Sequence, residues 1–166
     1  TNVGFTNNST GSISTNFIPS ANGFNYQKDD ASRFAWVHTA GTGTIDGVGG
    51  SASNKFTFDS GSPQNINNGT TSSTTVALSG AGLKSINRPT NNQVRIFENT
   101  SLSASSSQAS SGLTTTPQLV FRSLAAYATH TISVYGMGAS LVTSGGDATL
   151  NTNLYNAINT YMTNLV

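Results

Sequence analysis

The 166-residue chain predicts an all-β domain: an antiparallel β-sandwich or jelly roll closed by one C-terminal amphipathic helix. Three observations carry that expectation. Short segments of alternating apolar and polar residues recur along the chain with turn residues between them, which is the pattern of a sandwich. Ser, Thr, Asn and Gly make up 84 of the 166 residues, a composition that favours turns and hydroxyl-rich strands over helices. Only the end of the chain departs from this, where Leu150, Leu154, Ile158, Met162 and Leu165 recur at helical spacing and form one stripe.

The elements follow in order. Residues 1–11 read as a loose or edge segment in which Val3 and Phe5 can add a strand, and residues 12–166 read as one domain. Ser12 to Pro19 is expected as a strand with Ile13, Thr15 and Phe17 on one side, followed by a loop at Ser20-Ala-Asn-Gly23. Ala31 to Thr39 is the clearest strand of the first half, with Phe34, Trp36 and His38 on one face and Arg33, Ala35 and Val37 on the other. Gly41 to Gly50 reads as a glycine-rich turn region around Ile45. Lys55–Phe58, Thr74–Leu78 and Leu83–Arg88 follow as short strands, the last ending at Pro89. Gln93–Phe97 and Ser101–Ser105 form a hairpin with Asn99 at its tip. Ser103 to Thr116 is low-complexity loop, and Leu119–Leu124 is a strand. The closing strand, Thr129 to Leu141, puts Ile132 and Val134 on one side and Thr131 and Ser133 on the other. The helix spans 148–165, with Asp147 or Thr149 to cap its free N–H groups. Its five asparagines are poor helix formers, so its stability must come from docking the apolar stripe onto the sandwich.

Composition removes several function classes. Charged residues are 8% of the chain, against roughly 25% in an ordinary soluble domain. Net charge is +1 and the seven Lys/Arg are scattered, so no nucleic-acid partner is indicated. No apolar run approaches the roughly 20 residues of a membrane helix, and no membrane role is expected. With no cysteine, disulfides and thiolate metal sites are absent. Sequons at Asn7, Asn8, Asn68 and Asn99 are what chance supplies in a chain this rich in Asn, Ser and Thr.

Catalytic patterns are missing too. A nucleophile elbow requires Gly-x-Ser-x-Gly, which does not occur, and His38 and His130 read as strand histidines that find a hydrogen bond. Glycoside hydrolysis needs two carboxylates at a set separation, and Glu98 is the sole glutamate, beside the hairpin tip. No catalytic residue is assigned and no enzyme is expected. Calcium requires several converging oxygens; Asp29 and Asp30 can supply two, with Asp46 or Asp59 from neighbouring loops. The alternative is a solvated pair beside Lys28 and Arg33, and no cofactor is expected. Sugar binding uses an aromatic face flanked by polar groups, for which Trp36, with His38 on the same strand face, is the candidate. The alternative there is that Phe34 and Trp36 both point into the core.

The order of several segments resembles a known family. Ser12 to Tyr26, followed by Asp30-Ala-Ser-Arg-Phe-Ala-Trp36, is similar to the opening of a concanavalin A-like (laminin G-like) jelly-roll domain, a kind frequent in tailed-phage virion proteins. Gln93-Val-Arg-Ile-Phe-Glu-Asn99 resembles its hairpin, Ser110 to Pro117 the linker that follows, and Thr131–Leu141 with Leu154–Met162 the last strand and terminal helix. The chain departs from that pattern in having Asn-Thr where Asn-Gly is common in the hairpin. The resemblance implies a non-enzymatic protein on the virion surface or outside the cell: a capsid decoration, fibre or tail module. Its partners would be other virion proteins, further copies of itself in a homo-oligomer, or a cell-surface glycan. The alternative is a carbohydrate-binding module of a secreted bacterial adhesin or glycan-active enzyme. Jelly rolls host many functions, so no family site residue carries over.

Overall fold

Nine-residue Ala31–Thr39 forms a strand over the whole span that its alternation predicts, and the rest of the sandwich is organised around it. A computed structural model describes residues 4–7, 10–22, 24–48, 51–58, 63–67, 74–123 and 126–165. In chain order the elements are β1 (Phe5–Thr6), β2 (Ile13–Ser14), the short α1 (Pro19–Asn22), β3 (Ala31–Thr39), β4 (Thr44–Val48), β5 (Ser51–Thr57), β6 (Pro63–Gln64) and β7 (Thr74–Thr75). They continue with β8 (Gly82–Thr90), β9 (Gln93–Glu98), β10 (Ser101–Ser106), β11 (Gln118–Val120), β12 (Arg122–Ser123), β13 (Ala126–Tyr127), β14 (Thr131–Gly138) and α2 (Thr149–Thr163). Val3, Asp59, Leu124 and the sequons at Asn8 and Asn68 lie outside the described residues.

A six-stranded antiparallel sheet runs β1-β14-β3-β8-β9-β10, and a four-stranded one runs β2-β11-β4-β5. Their facing sides share one core, with Ala35, Val37, Ile86, Val94, Ile96 and Ile132 from the first sheet and Ile45, Phe56 and Val120 from the second. Burial of each large side chain is worth about 1.5–3 kcal/mol, so this seam dominates stability. The chain is therefore an all-β sandwich closed by a C-terminal helix, as its pattern predicts. The hairpin is present too: Asn99, at φ 57°, makes the turn between β9 and β10.

Several elements differ from the sequence reading. Thr74–Leu78 shortens to β7, Leu119–Leu124 is interrupted at Phe121, at φ 68°, between β11 and β12, and β10 runs to Ser106 into the segment expected as loop. Gly41–Gly50 is no turn region where it is described, because Thr44–Val48 is a fully buried strand. Buried on both faces it needs no polar side, so the alternation that marks a half-buried strand is missing. Gly43, at φ 92°, lets this backbone run against Tyr127, whose carbonyl oxygen a Cβ would overlap. In β14, Ile132 opposes Val37 while Val134 opposes Trp36, so Ser133 is the extra residue of a bulge. That bulge sends Ile132 inward and Val134 outward, opposite to strict alternation. The Ser12–Pro19 segment shortens to Ile13–Ser14, and α1 follows it. β8 runs on through Pro89 to Thr90, its pairing with β9 shifting register there.

The helix docks as expected, with a different stripe. Ile158 and Met162 are buried with Trp36 and Leu83, and Phe34, Val134, Leu154 and Tyr155 pack around them. Leu150 and Leu165 are exposed, and the place expected of Leu150 is taken by Asn151. Asn151 is fully buried: its carboxamide oxygen accepts the Ser85 hydroxyl at 2.7 Å and its Nδ2 donates to the Asn99 carbonyl at 2.8 Å. Asp147 holds the first turn, its Oδ1 accepting the Thr149 N–H at 2.9 Å and the Thr149 hydroxyl at 2.6 Å.

Candidate functional site

Trp36 does not form an open platform. It is 8% exposed, lies under α2, and stacks on Tyr155 with ring centroids 5.9 Å apart and planes at 28°. Neither does it enter the inter-sheet core: that face of β3 belongs to Arg33, Ala35 and Val37, and the Phe34/Trp36 face is the one the helix covers. The pairing of large aromatics with a second apolar layer, rather than with a ligand, corrects the candidate drawn from sequence. His38 is exposed at the end of the same strand.

Asp29 and Asp30 serve separate contacts. Asp29 accepts the Ser110 hydroxyl and lies 3.7 Å from the Lys28 ammonium, and Asp30 accepts the Ser140 N–H at 2.7 Å. Among the described residues no three acidic or histidine side chains gather as a metal would need. Asp46, the third oxygen donor expected, is fully buried in β4 and holds Arg33 instead, Oδ1 to Nη1 at 2.5 Å.

That pair anchors a polar network inside the sandwich. The Tyr135 hydroxyl donates to the other Asp46 oxygen at 2.5 Å, and Arg33 donates from Nη2 to the Asn65 carbonyl. Burial pushes the Asp46 carboxyl above its ordinary value, with Arg33 and Tyr135 pulling it back. Burial alone would lower the Arg33 guanidinium, but Asp46, Tyr26 and Tyr135 together outweigh it and hold it higher. The Tyr26 phenol, buried beside them, is pushed up to about 12. Arg88 donates from Nε to the Ile66 carbonyl and from Nη1 to the Gln108 carbonyl, both at 2.7 Å. Lys84 donates to Glu98 at 2.9 Å and to the Ser79 carbonyl at 2.6 Å. Glu98 also accepts the Ser79 N–H at 2.6 Å, so the sole glutamate clamps a loop. His130 lies just before β14 and finds hydrogen bonds there: its Nδ1 accepts the Gly41 N–H at 2.9 Å, leaving the proton on Nε2, which faces the Gly43 carbonyl at 3.3 Å.

Two surface features stand out from this sealed interior. At the edge where β1 ends one sheet and β2 ends the other, an apolar groove of about 230 Å³ runs between the sheets. Phe5, Ile13, Val120, Phe121, Ile132 and Tyr135 line it, and Phe5 is 66% and Ile13 41% exposed. Its lining thus includes Tyr135, whose hydroxyl reaches the buried Asp46. The second feature is Phe24, 91% exposed in the turn after α1, above a shallow depression shared with Pro19, Gln27, Lys28 and Leu113. Gln27 pins that turn by donating to the Phe24 carbonyl at 3.2 Å. Sequence reasoning missed both. Their signals were an aromatic flanked by Gly23 and Asn25, and apolar residues in segments too short to form a full strand.

Fold and surface together define a β-sandwich domain with a docked terminal helix. Among the described residues no helix is long and apolar enough to cross a membrane. Compared with known proteins, the chain matches no family, no curated sequence and no solved structure.

Proposed function

We propose that the chain is a non-enzymatic surface domain of a tailed-phage particle, in the manner of a capsid decoration, fibre or tail module, and that the open sandwich edge packs it against a neighbouring particle subunit. The groove at that edge carries the reading. Exposed Phe5 and Ile13 lie on the two short edge strands β1 and β2, and a sheet edge left uncovered among the described residues, with apolar lips, is a ready template for association. A surface poor in charge offers little electrostatic opposition to that packing. The cysteine-free chain permits a clean test. Ile13→Cys carrying a short photo-crosslinker, assembled into particles that are then purified, is expected to yield a crosslink to a particle protein or to a second copy. Absence of the chain from purified particles by mass spectrometry overturns the proposal.

The second reading, a carbohydrate-binding module of a secreted adhesin or glycan-active enzyme, is favoured by Phe24. An exposed ring beside amide and ammonium groups suits a sugar face and its hydroxyls. Phe24→Ala, not Trp36→Ala, is the variant that abolishes a glycan-array signal under this reading.

A further inference from the structure

The outer face of the six-stranded sheet is only partly covered. Helix α2 lies over Phe34, Trp36, Leu83 and Val134, which belong to β3, β8 and β14. At the β9–β10 edge, Val94 and Ile96 point into the core, so Gln93 and Arg95 project from the opposite face. Ser105 stands opposite Arg95 in the register, and a polar groove of about 220 Å³ runs past these residues to Ser106 and Ser107.

Two groups in the groove lack the partners that such groups ordinarily find. The Arg95 guanidinium has no carboxylate within 4 Å among the described residues, whereas Arg33, Lys84 and Lys28 each have one. Among the described residues its one hydrogen bond is a long one, 3.4 Å from Nη2 to the Ser144 carbonyl. The turn beside it is shaped for it: Gly146 has φ 95°, and a Cβ there would overlap Nη1. Two residues away on the same face, the Gln93 carboxamide oxygen is shielded from solvent and accepts no hydrogen bond. A buried acceptor without a donor is costly unless something supplies one.

We infer that this groove binds an acidic saccharide residue, with its carboxylate on Arg95 and a hydroxyl across the ring donating to the Gln93 carboxamide, which turns out into the groove to meet it. Guanidinium and carboxylate match as a two-point fork. Alternate residues of a strand are about 7 Å apart, close to the span from a sugar carboxylate to a hydroxyl across the ring. The exposed Ser105 and Ser107 hydroxyls accept and donate to the rest of the ring, while Ser106 is held by the Thr74 hydroxyl. An inorganic anion meets the arginine but leaves Gln93 unpaired, and a neutral sugar does the reverse. The groove lies at the β10 edge, at the far side of the sheet from β1, so the inference does not depend on the attachment reading.

Calorimetric titration of the whole chain with oligogalacturonate, with a neutral maltooligosaccharide and with sulfate tests it. Saturable binding of the uronate is expected, weakening as salt rises. Arg95→Gln should weaken it at least tenfold and Gln93→Leu severalfold, with melting temperatures near that of the parent chain. If Arg95→Gln does not fold, Arg95→Lys, which keeps the charge but loses the fork, should still weaken binding. No saturable uronate binding, or binding unchanged by these variants, overturns the inference. So does equal affinity for sulfate, which marks an anion site without sugar recognition, or equal affinity for the neutral oligosaccharide.

Discussion

On its inner side the six-stranded sheet meets the four-stranded sheet through a core of sixteen buried apolar residues among those described; on its outer side it meets α2 through Trp36, Leu83, Ile158 and Met162. The polar groups differ as much as the areas. The inner seam encloses ionisable side chains, Arg33 on Asp46 with Tyr135 behind them. The outer seam encloses neutral ones, Asn151 on Ser85 with Asn87 donating to the same hydroxyl at 3.0 Å. A buried ion pair contributes little net stability when intact, yet leaving one member alone is severe. Neutral amides and hydroxyls cost less to expose. The inner seam is therefore an all-or-none junction whose charges fix how β3 sits over β4. The outer seam is a thin one that can open by itself.

Asp46→Ala breaks the comparison most directly. It strands Arg33 in the interior and removes the acceptor of the Tyr135 hydroxyl, and we expect a loss of about 3–5 kcal/mol in urea denaturation. The double change Arg33→Met with Asp46→Leu should restore most of that stability, because it removes both charges rather than one. A loss under about 1 kcal/mol for the single change would mean that the pair does not pin the inner seam.

Ile158→Asp probes the outer seam. Placing a carboxylate against Trp36 and Leu83 should cost about 2–4 kcal/mol, limited by the freedom of the helix to lift away. Leu154→Asp, at a half-buried position, should cost about half as much. Trp36 is the only tryptophan, so its emission reports this seam alone. In the Ile158→Asp chain the emission should shift to the red at lower urea than the strand signal in circular dichroism is lost. Coincident transitions would show that the two seams unfold as one unit.

The same contrast explains what could be read beforehand. The Asn99 hairpin and α2 were legible because each has one face buried and one polar, and period follows from that; Ala31–Thr39 was legible from its length and its β-forming residues, although both its faces are covered. Thr44–Val48 was not, because a strand buried on both faces has no reason to alternate and its Asp46 looks like a loop residue. The partners of charged residues were invisible for a related reason: Arg33 and Asp46 are thirteen positions apart and meet only across the two sheets. Nothing local distinguishes them from solvated charges. The exchange of Val134 to the helix side depends on the bulge at Ser133, which has no glycine or other marker in the sequence. Of the proposed site residues, Trp36 was placed on one strand face with Phe34, but the covering by α2 required knowing where the helix docks.

Acid gives the smallest effect and sharpens the picture of the outer seam. The Thr149 hydroxyl and N–H both donate to Asp147, and they hold its carboxyl below its ordinary value. A carboxyl depressed on folding binds its proton more tightly in the unfolded chain, so its contribution is present above the unfolded value, about 3.9. It is lost as pH falls through the depressed folded value. The protection factor of the Thr149 amide, corrected for the intrinsic pH dependence of exchange, should therefore fall as pH drops below about 4, while amides in the middle of β3 remain protected. Asp147→Asn, which can still accept the N–H but does not titrate, should remove the pH dependence of that exchange. If the first turn of α2 loosens equally in the Asn chain, another group controls it, and the hold of Asp147 on the helix entry is not what secures the thin seam at that end.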